Sequence, residues 1–442
     1  MEILIKILQF LLSISILVIF HETGHFVFAK LFKTRVEKFY LFFNPWFALF
    51  KFKKGETEYG IGWLPLGGYV KISGMIDESM DTEQLKRPPQ PYEFRSKSAG
   101  QRLLIMLGGV LVNFILAFVI YIAVLYTWGE QYLPTKNVKY GITVDTLAYQ
   151  AGLRNGDIIL SVDNKEVENF QRITSTILFN NARTVKVLRN GEKINIALPL
   201  DLVPSIIRKR DPEFINVRIP FYIADFAKES EGRKAGLSKG DKIIGINDEK
   251  TDFFDEFKSK IILHKKDSIK VSVQRNGKVF IIPAYVPESG LLGIRPESDL
   301  SKFFELKNIN YGFFAAIPAG IERGYSTIIL YLKQLKLIFS RNTKGYESLG
   351  GFLTIGSIFP GEWEWASFWS LTAFLSIILA IINVLPIPAL DGGHVLFLLY
   401  EIITGRKPND KFLEYAQIIG MILVFSLIIY ANANDIVRFF FK

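Results

Sequence analysis

Apolar runs long enough to cross a bilayer constrain this chain more than any other feature. A helix rising about 1.5 Å per residue needs about 20 residues to span a hydrocarbon core of about 30 Å. Three runs reach that length: Ile3 to Phe20 continuing to Phe32, Leu103 to Tyr126, and Phe412 to Tyr430. A fourth, Phe368 to Ile387, is nearly as apolar and ends in prolines. Inside lipid every backbone polar group needs an internal partner, so the runs are expected to be helices. The first begins with Glu2, has no small-residue cleavage site and continues through two histidines, which reads as a retained helix and not as a signal peptide. Hydrophobic residues make up 49% of the 442, with 38 Phe, so a wholly soluble protein is not expected.

The net charge of +10 would suit a nucleic-acid binder. Much of the excess, however, lies between the first two runs, in Lys33, Arg35, Lys38, Lys51, Lys53, Lys54, Lys71, Lys86, Arg87, Arg95, Lys97 and Arg102. The preference of basic residues for the cytoplasmic side of a membrane explains it without nucleic acid. Residues 33–101 are then cytoplasmic, and 128–365 and both termini lie outside. The short loop with Arg406, Lys407 and Lys411 returns to the cytoplasm as the same rule requires. Absence of Cys rules out thiolate ligands and disulfides, which leaves His and carboxylates for a transition metal.

Between the second and third runs the chain repeats itself. Ala151-Gly152-Leu153-Arg154-Asn155-Gly156-Asp157-Ile158-Ile159 recurs 84 residues later as Ala235-Gly236-Leu237-Ser238-Lys239-Gly240-Asp241-Lys242-Ile243-Ile244. Each copy is followed by an alternating run that ends in Arg-Asn-Gly, at Arg189-Asn190-Gly191 and Arg275-Asn276-Gly277, a hairpin signal. Two small β-rich domains are expected, over 131–204 and 213–298. The motif resembles PDZ domains, which bind an extended peptide as an added strand at a sheet edge. Downstream, Asn310 to Phe339 mixes apolar and basic residues, as in Tyr331-Leu332-Lys333-Gln334-Leu335-Lys336-Leu337, and reads as an amphipathic helix on the bilayer surface, within 308–345.

The end of the first run reads His21-Glu22-Thr23-Gly24-His25. On a helix, positions i and i+4 share a face, so both imidazoles can reach one zinc ion. Zinc supplies a water acidic near pH 7. Glu22, rotated by about 100° from His21, can accept a proton from that water instead of competing for the metal. With four histidines in the chain, a chance H-E-x-x-H arises in roughly one such sequence in several hundred. Two His and a Glu in a lipid-spanning helix are costly without partners. A third ligand is expected at Asp391, in Asn383-Val384-Leu385-Pro386-Ile387-Pro388-Ala389-Leu390-Asp391-Gly392-Gly393-His394. An unpaired carboxylate at membrane depth costs roughly 2.5–3.5 kcal/mol, and zinc would be its partner. By topology all three ligands lie toward the cytoplasmic leaflet, and Pro386 and Pro388 break the helix there, which is tolerated where backbone lines a polar cavity. His264 and His394 read as structural.

H-E-x-x-H in the first span with N-x-x-P-x-P-x-L-D-G-G in a late one resembles the site-2 proteases, and the repeat pair brings the chain closer to the bacterial regulator of sigma-E type. The resemblance covers nearly the whole chain. It implies that Gly67-Gly68-Tyr69-Val70-Lys71, after Pro65-Leu66, belongs to a membrane re-entrant β-hairpin that pairs with an extended substrate. Cleavage of a helical substrate needs local unwinding, and an edge strand could take up the released backbone groups. It also implies that Asn113 helps to orient substrate. The family's G-P-x-x-N reads Gly109-Val110-Leu111-Val112-Asn113 here, without the proline, and Gly350-Gly351-Phe352 departs from the family's Gly-Pro pattern near the third span.

The expected fold is thus a polytopic α-helical membrane protein with about four transmembrane helices, two tandem PDZ-like domains and a re-entrant β-hairpin. The first two helices occupy 1–127 and the last two 364–442. The expected activity is intramembrane zinc proteolysis in a bacterial inner membrane, with one Zn²⁺ per chain. Single-pass membrane proteins of the anti-sigma-factor or signal-peptide-remnant type would be its substrates. Two rivals remain: a membrane-tethered PDZ adaptor with a non-catalytic zinc site, which would not need Glu22, and a metal transporter, which the single polar helix face fits poorly.

Overall fold

The computed structural model describes residues 1–65, 67–75, 87–209, 213–340, 343 and 345–441; Leu66 and Lys86 lie outside them. In chain order come α1 (Glu2–Leu31), β1 (Val36–Leu41), β2 (Phe43–Lys54), β3 (Thr57–Leu64), β4 (Tyr69–Ile72) and α2 (Ala99–Trp128). The β-rich region follows, with β5 (Glu130–Tyr132), β6 (Ile142–Val144), α3 (Thr146–Gln150), β7 (Ile158–Val162), α4 (Ile173–Asn180), β8 (Thr184–Arg189), β9 (Glu192–Ala197), α5 (Leu202–Lys209) and β10 (Ile215–Val217). Its second half holds β11 (Ile223–Phe226), α6 (Glu231–Lys234), β12 (Lys242–Ile246), β13 (Glu249–Lys250), α7 (Phe254–Ile261), β14 (Ser268–Arg275), β15 (Lys278–Tyr285), β16 (Ile294–Pro296) and β17 (Lys307–Ile309). The chain ends in α8 (Phe313–Ile338), α9 (Phe352–Ser357), α10 (Trp365–Val384), α11 (Asp391–Thr404) and α12 (Asp410–Phe440). Two compact units result, one helical and one running from Glu130 to Ile309 with Leu337–Ser348.

In the helical unit four helices among the described residues are long and apolar enough to cross a membrane: α1, α2, α10 and α12. α2 begins and α10 ends where the sequence carries a cap or a breaker. Ser98 and Gln101 cap α2 reciprocally, the Gln101 N–H donating to Ser98 Oγ at 3.3 Å and the Ser98 N–H to Gln101 Oε1 at 3.2 Å. α10 stops at Val384, just before Pro386 and Pro388. Lipid offers no hydrophobic drive between helices, so small and polar residues hold them together. α1 and α2 meet at Gly24 and Gly108, where a Cβ on Gly24 would lie 2.2 Å from the Gly108 carbonyl oxygen. Thr372 Oγ1 on α10 donates to Ser13 Oγ on α1 at 3.0 Å, and Ser376 Oγ to the Asn113 carbonyl of α2 at 2.8 Å. On α12, Asp435 accepts from the Thr354 N–H at 2.9 Å, and Asn434 Nδ2 donates to the Leu349 carbonyl at 2.7 Å.

α8 runs lengthwise beside α2, with Gly320 against Ile122 and Gly324 against Phe118. Arg323 lies 5.3 Å from the Tyr121 ring, and Ile328, Tyr331 and Leu335 pack onto the α2–α10 core. Part of the apolar face that the sequence offers to a bilayer surface is therefore taken up by α2.

Strands β1–β4 form one mixed sheet in the order β2-β3-β1-β4, with β1 parallel to β3 and antiparallel to β4. β4 is an edge strand. At the opposite edge, the β2–β3 hairpin exposes Trp46, Phe47, Leu49, Phe50 and Phe52.

The β-rich unit contains two similar halves, each with its own core. Both Arg-Asn-Gly turns have φ positive at Asn and Gly, 51° and 87° at Asn190–Gly191 and 51° and 78° at Asn276–Gly277, as two-residue hairpins require. The recurring Asp has a structural role that its spacing did not reveal. Asp157 is buried and takes both arms of Arg189 at 2.7 and 2.8 Å, while Arg189 Nη2 also donates to the Gly152 carbonyl. Asp241, Arg275 and Gly236 repeat the arrangement. The boundary between the halves also differs from the expected one. β10, within the span 213–298, pairs antiparallel with β6, and Phe214 and Ile215 join the first core. An edge strand needs a partner, and the chain returns to supply it.

Removing one partner of a buried ion pair strands the other charge, so Arg275→Leu should weaken the second half by about 3 kcal/mol. In hydrogen exchange on the whole protein, amides of 223–296 should exchange more than a hundredfold faster while those of α1 and α2 hold. Uniform exchange across both units would contradict the local role.

Candidate metal centre

Three donor atoms from two distant parts of the chain converge in the helical unit. His21 and His25 lie one turn apart on α1, and Asp391 is the first residue of α11. Asp391 Oδ2 lies 3.2 Å from His21 Nε2 and 3.3 Å from His25 Nε2, and the two Nε2 atoms are 3.3 Å apart. Both imidazoles are buried. Asp391 Oδ2 is buried too and makes no hydrogen bond among the described residues. Three lone-pair atoms in mutual contact, one of them an orphaned carboxylate oxygen, is the arrangement that a cation resolves and that hydrogen bonds leave unsatisfied. The donor set of two imidazoles and a carboxylate suits zinc and leaves a position open.

α2 orients both rings. His25 Nδ1–H donates to the Ile105 carbonyl at 2.9 Å, which fixes the tautomer whose Nε2 lone pair faces the cluster. Asn113 Nδ2 lies 3.3 Å from His21 Nδ1, and Asn113 Oδ1 has no hydrogen-bond partner among the described residues. With Nε2 given to a metal, His21 Nδ1 carries the proton, and the Asn113 amide turned end for end would present its oxygen as the acceptor. Gly109 makes room for both rings. A Cβ there would lie 2.5 Å from His25 Nε2 and 2.6 Å from His21 Cε1.

The turn after α10 has its own steric demand. A Cβ on Gly392 would meet the Leu385 carbonyl oxygen at 2.2 Å, and one on Gly393 the Ile387 carbonyl oxygen at 2.7 Å. Both glycines let the chain double back so that Asp391 faces α1. Asn383, in the last turn of α10, places Nδ2 3.3 Å from His21 Nε2. Its one signal in the sequence is a polar side chain eight positions before Asp391 in an apolar helix, which does not by itself point to a role.

Glu22 is buried beside the cluster. Gly68 packs against it, since a Cβ on Gly68 would lie 3.4 Å from Glu22 Cγ, 2.6 Å from Val18 Cγ1 and 2.6 Å from the Tyr40 carbonyl oxygen. The Val70 N–H approaches the Glu22 carboxylate. Tyr69 points elsewhere, its hydroxyl donating to Asn44 Oδ1 at 2.8 Å and its ring stacked on Tyr40. A cavity of about 530 Å³ opens from the cluster, lined by Glu22, Gly68, Asn383 and Asp391 at one end and by Phe10 and Phe352 at the other.

The sequence profile of Peptidase family M50 matches residues 9–427. The chain belongs to peptidase family M50. It is 28% identical to the regulator of sigma E protease of Haemophilus influenzae, over 97% of this chain and 98% of that protein. The regulator of sigma-E protease RseP of Escherichia coli is likewise 28% identical, over 97% and 98%. A Rickettsia conorii protein, 28% identical over 99% of this chain and 100% of its own, is named among the zinc metalloproteases. This M50 peptidase is accordingly a zinc metalloprotease of the site-2 protease family.

In the M50 peptidase Gly109→Ala should displace both imidazoles and weaken zinc binding by about 10–100-fold, the range seen when a ligand's support is removed. Gly100→Ala, on the same helix with open space around it, is the control. Metal analysis of the two purified variants checks this, and equal zinc in both would contradict the steric role of Gly109.

Proposed function

We propose that the protein cleaves a peptide bond in or near the transmembrane segment of single-span membrane proteins, as a step of regulated intramembrane proteolysis. The observation that carries this reading is the convergence of His21, His25 and Asp391 beside Glu22 at one end of a cavity among apolar helices. His21, His25 and Asp391 hold one Zn²⁺ per chain. The ion supplies a water acidic near neutral pH and an electrophile for the peptide carbonyl. Glu22 takes a proton on its carboxylate and delivers it to the leaving amide nitrogen. Asn113 fixes the His21 ring, and Asn383 faces the open side of the cluster, where it orients the substrate carbonyl.

An intact helix hides its peptide bonds behind its own hydrogen bonds. Gly67 and Gly68, which carry no side chain at the cavity wall, and edge strand β4 with Tyr69 and Val70 receive the unwound substrate as an added strand beside Glu22. The apolar β2–β3 hairpin enters the bilayer to hold that edge at the required depth. The two β-rich halves are PDZ-like domains that act as a size filter, so substrates enter only after another protease has trimmed their outer part. Relatives named for the regulation of sigma E support anti-sigma factors as one substrate class, with signal-peptide remnants as another. The basic loops support a bacterial inner-membrane orientation with the PDZ-like domains in the periplasm and the site toward the cytoplasmic leaflet.

Glu22→Gln should retain zinc and lose cleavage of a single-span substrate by at least 10²–10⁴-fold, the usual share of general acid–base catalysis. Cleavage at the parent rate would remove Glu22 from the mechanism, and a zinc-loaded parent that cuts none of a varied panel would favour an adaptor. Replacing Glu130–Ile309 by a short linker should let untrimmed substrates be cut. Unchanged discrimination between long and trimmed substrates would count against the filter.

A further inference from the structure

Asp391 Oδ2 has no hydrogen bond among the described residues and lies 3.2 and 3.3 Å from the two imidazole Nε2 atoms, so the backbone that carries Asp391 bears directly on where that oxygen sits. That backbone leaves the turn Leu385–Leu390, in which the Ile387 N–H donates to the Leu385 carbonyl at 2.7 Å and the Leu390 N–H to the Ile387 carbonyl at 3.0 Å. Two residues before Asp391 the turn passes through Ala389 at φ +88°, a region that residues with a Cβ rarely occupy. A strained turn persists only where its surroundings hold it. Two contacts from α12 do so. The Ala389 N–H donates to Gln417 Oε1 at 3.1 Å, and Gln417 is 5% exposed. One turn further along α12, a Cβ on Gly420 would lie 1.5 Å from the Pro388 carbonyl oxygen, so the helix backbone itself abuts the peptide that joins Pro388 to Ala389.

We propose that Gln417 and Gly420 are positioning residues for the third metal ligand. Spaced i and i+3, they present one face of α12 to the turn. Gln417 satisfies the N–H that the strained Ala389 directs toward it, and Gly420 lets the helix come close enough for that bond to form. Asp391 Oδ2 thereby meets both imidazoles without a side-chain partner to tether it. α12, which carries none of the three donors, becomes part of the metal centre through the backbone of a neighbouring turn. This rests on the reading that His21, His25 and Asp391 hold the zinc.

The test uses the purified full-length protein in detergent, with zinc affinity measured by competition against a chelator and the visible spectrum of the cobalt-substituted protein recorded. Gln417→Leu removes the acceptor, and it should weaken zinc binding by about tenfold or more and shift the cobalt bands. Gln417→Glu keeps an acceptor oxygen and should bind zinc within about threefold of the parent, since the support it offers is preserved. Ala389→Gly in the Gln417→Leu background should recover part of the lost affinity, because glycine takes φ +88° without strain. Gly420→Ala should weaken zinc in the same direction. Gln417→Leu and Gly420→Ala binding zinc as tightly as the parent would overturn the proposal. So would Gln417→Glu losing zinc as severely as Gln417→Leu, which would mark packing and not the hydrogen bond. Should His21→Ala keep parental zinc affinity, the metal site itself is misassigned, a failure separable from that of Gln417.

Discussion

Everything around the candidate centre follows from one constraint: two imidazoles and a carboxylate are held in mutual contact among apolar helices, at one end of a cavity. Such a cluster is stable only if the protein fixes each donor from behind and a cation joins them in front. α2 provides most of the fixing, through the Ile105 carbonyl on His25 and the Asn113 amide on His21. Those bonds require α1 and α2 to lie closer than ordinary side chains permit, and Gly24, Gly108 and Gly109 remove the side chains at that crossing. The helix contact and the metal chemistry are thus one design problem, solved by three residues that carry no functional group.

The parts of this structure that were legible in the sequence are those written as spacing. Apolar runs marked the four long helices, i and i+4 marked the two histidines, the prolines marked the end of α10, and the recurrence of A-G-L-x-x-G-D marked two related β-rich halves. What stayed hidden depends on residues that meet only after folding. Gln417 is one of several polar residues in α12 and Gly420 one glycine among 34, and neither has a local pattern. Asn383 was visible as a letter in a motif, but its proximity to His21 comes from how α10 packs on α1. β10 pairs with β6 of the first half from within 213–298, and strand pairing across about 70 residues leaves no periodic trace.

The centre and the sheet are joined by Gly68. It touches Val18, Tyr40 and Glu22 together, so the same residue sets how near edge strand β4 comes to α1 and how near it comes to the carboxylate. A larger residue there would push the strand away from the Glu22 carboxylate. In an aqueous protease the substrate strand can be held by side-chain pockets. Beside lipid, backbone pairing is the stronger constraint, because unwound peptide groups in a water-poor site have nowhere else to direct their hydrogen bonds.

Asp157, Asp241 and Asp435 are buried and Asp391 is half-buried, and their partners show why Asp391 among them is poised for a metal. Asp157 and Asp241 each receive a two-pronged arginine and a backbone N–H, from Arg154 and Ser238 respectively. Asp435 accepts from the N–H and hydroxyl of Thr354. These carboxylates have donors on both oxygens, and their charge is spent on holding loops. Asp391 differs in kind: it faces two imidazole nitrogens, and a ring protonated on Nδ1, as His25 is by its bond to the Ile105 carbonyl, offers it a lone pair and no proton. Two lone pairs opposite a carboxylate oxygen repel it unless something positive lies between them. The protein withholds every ordinary partner from Asp391 Oδ2 while building the turn that keeps it in place, so affinity for a cation is the remaining way to make the fold of this region favourable.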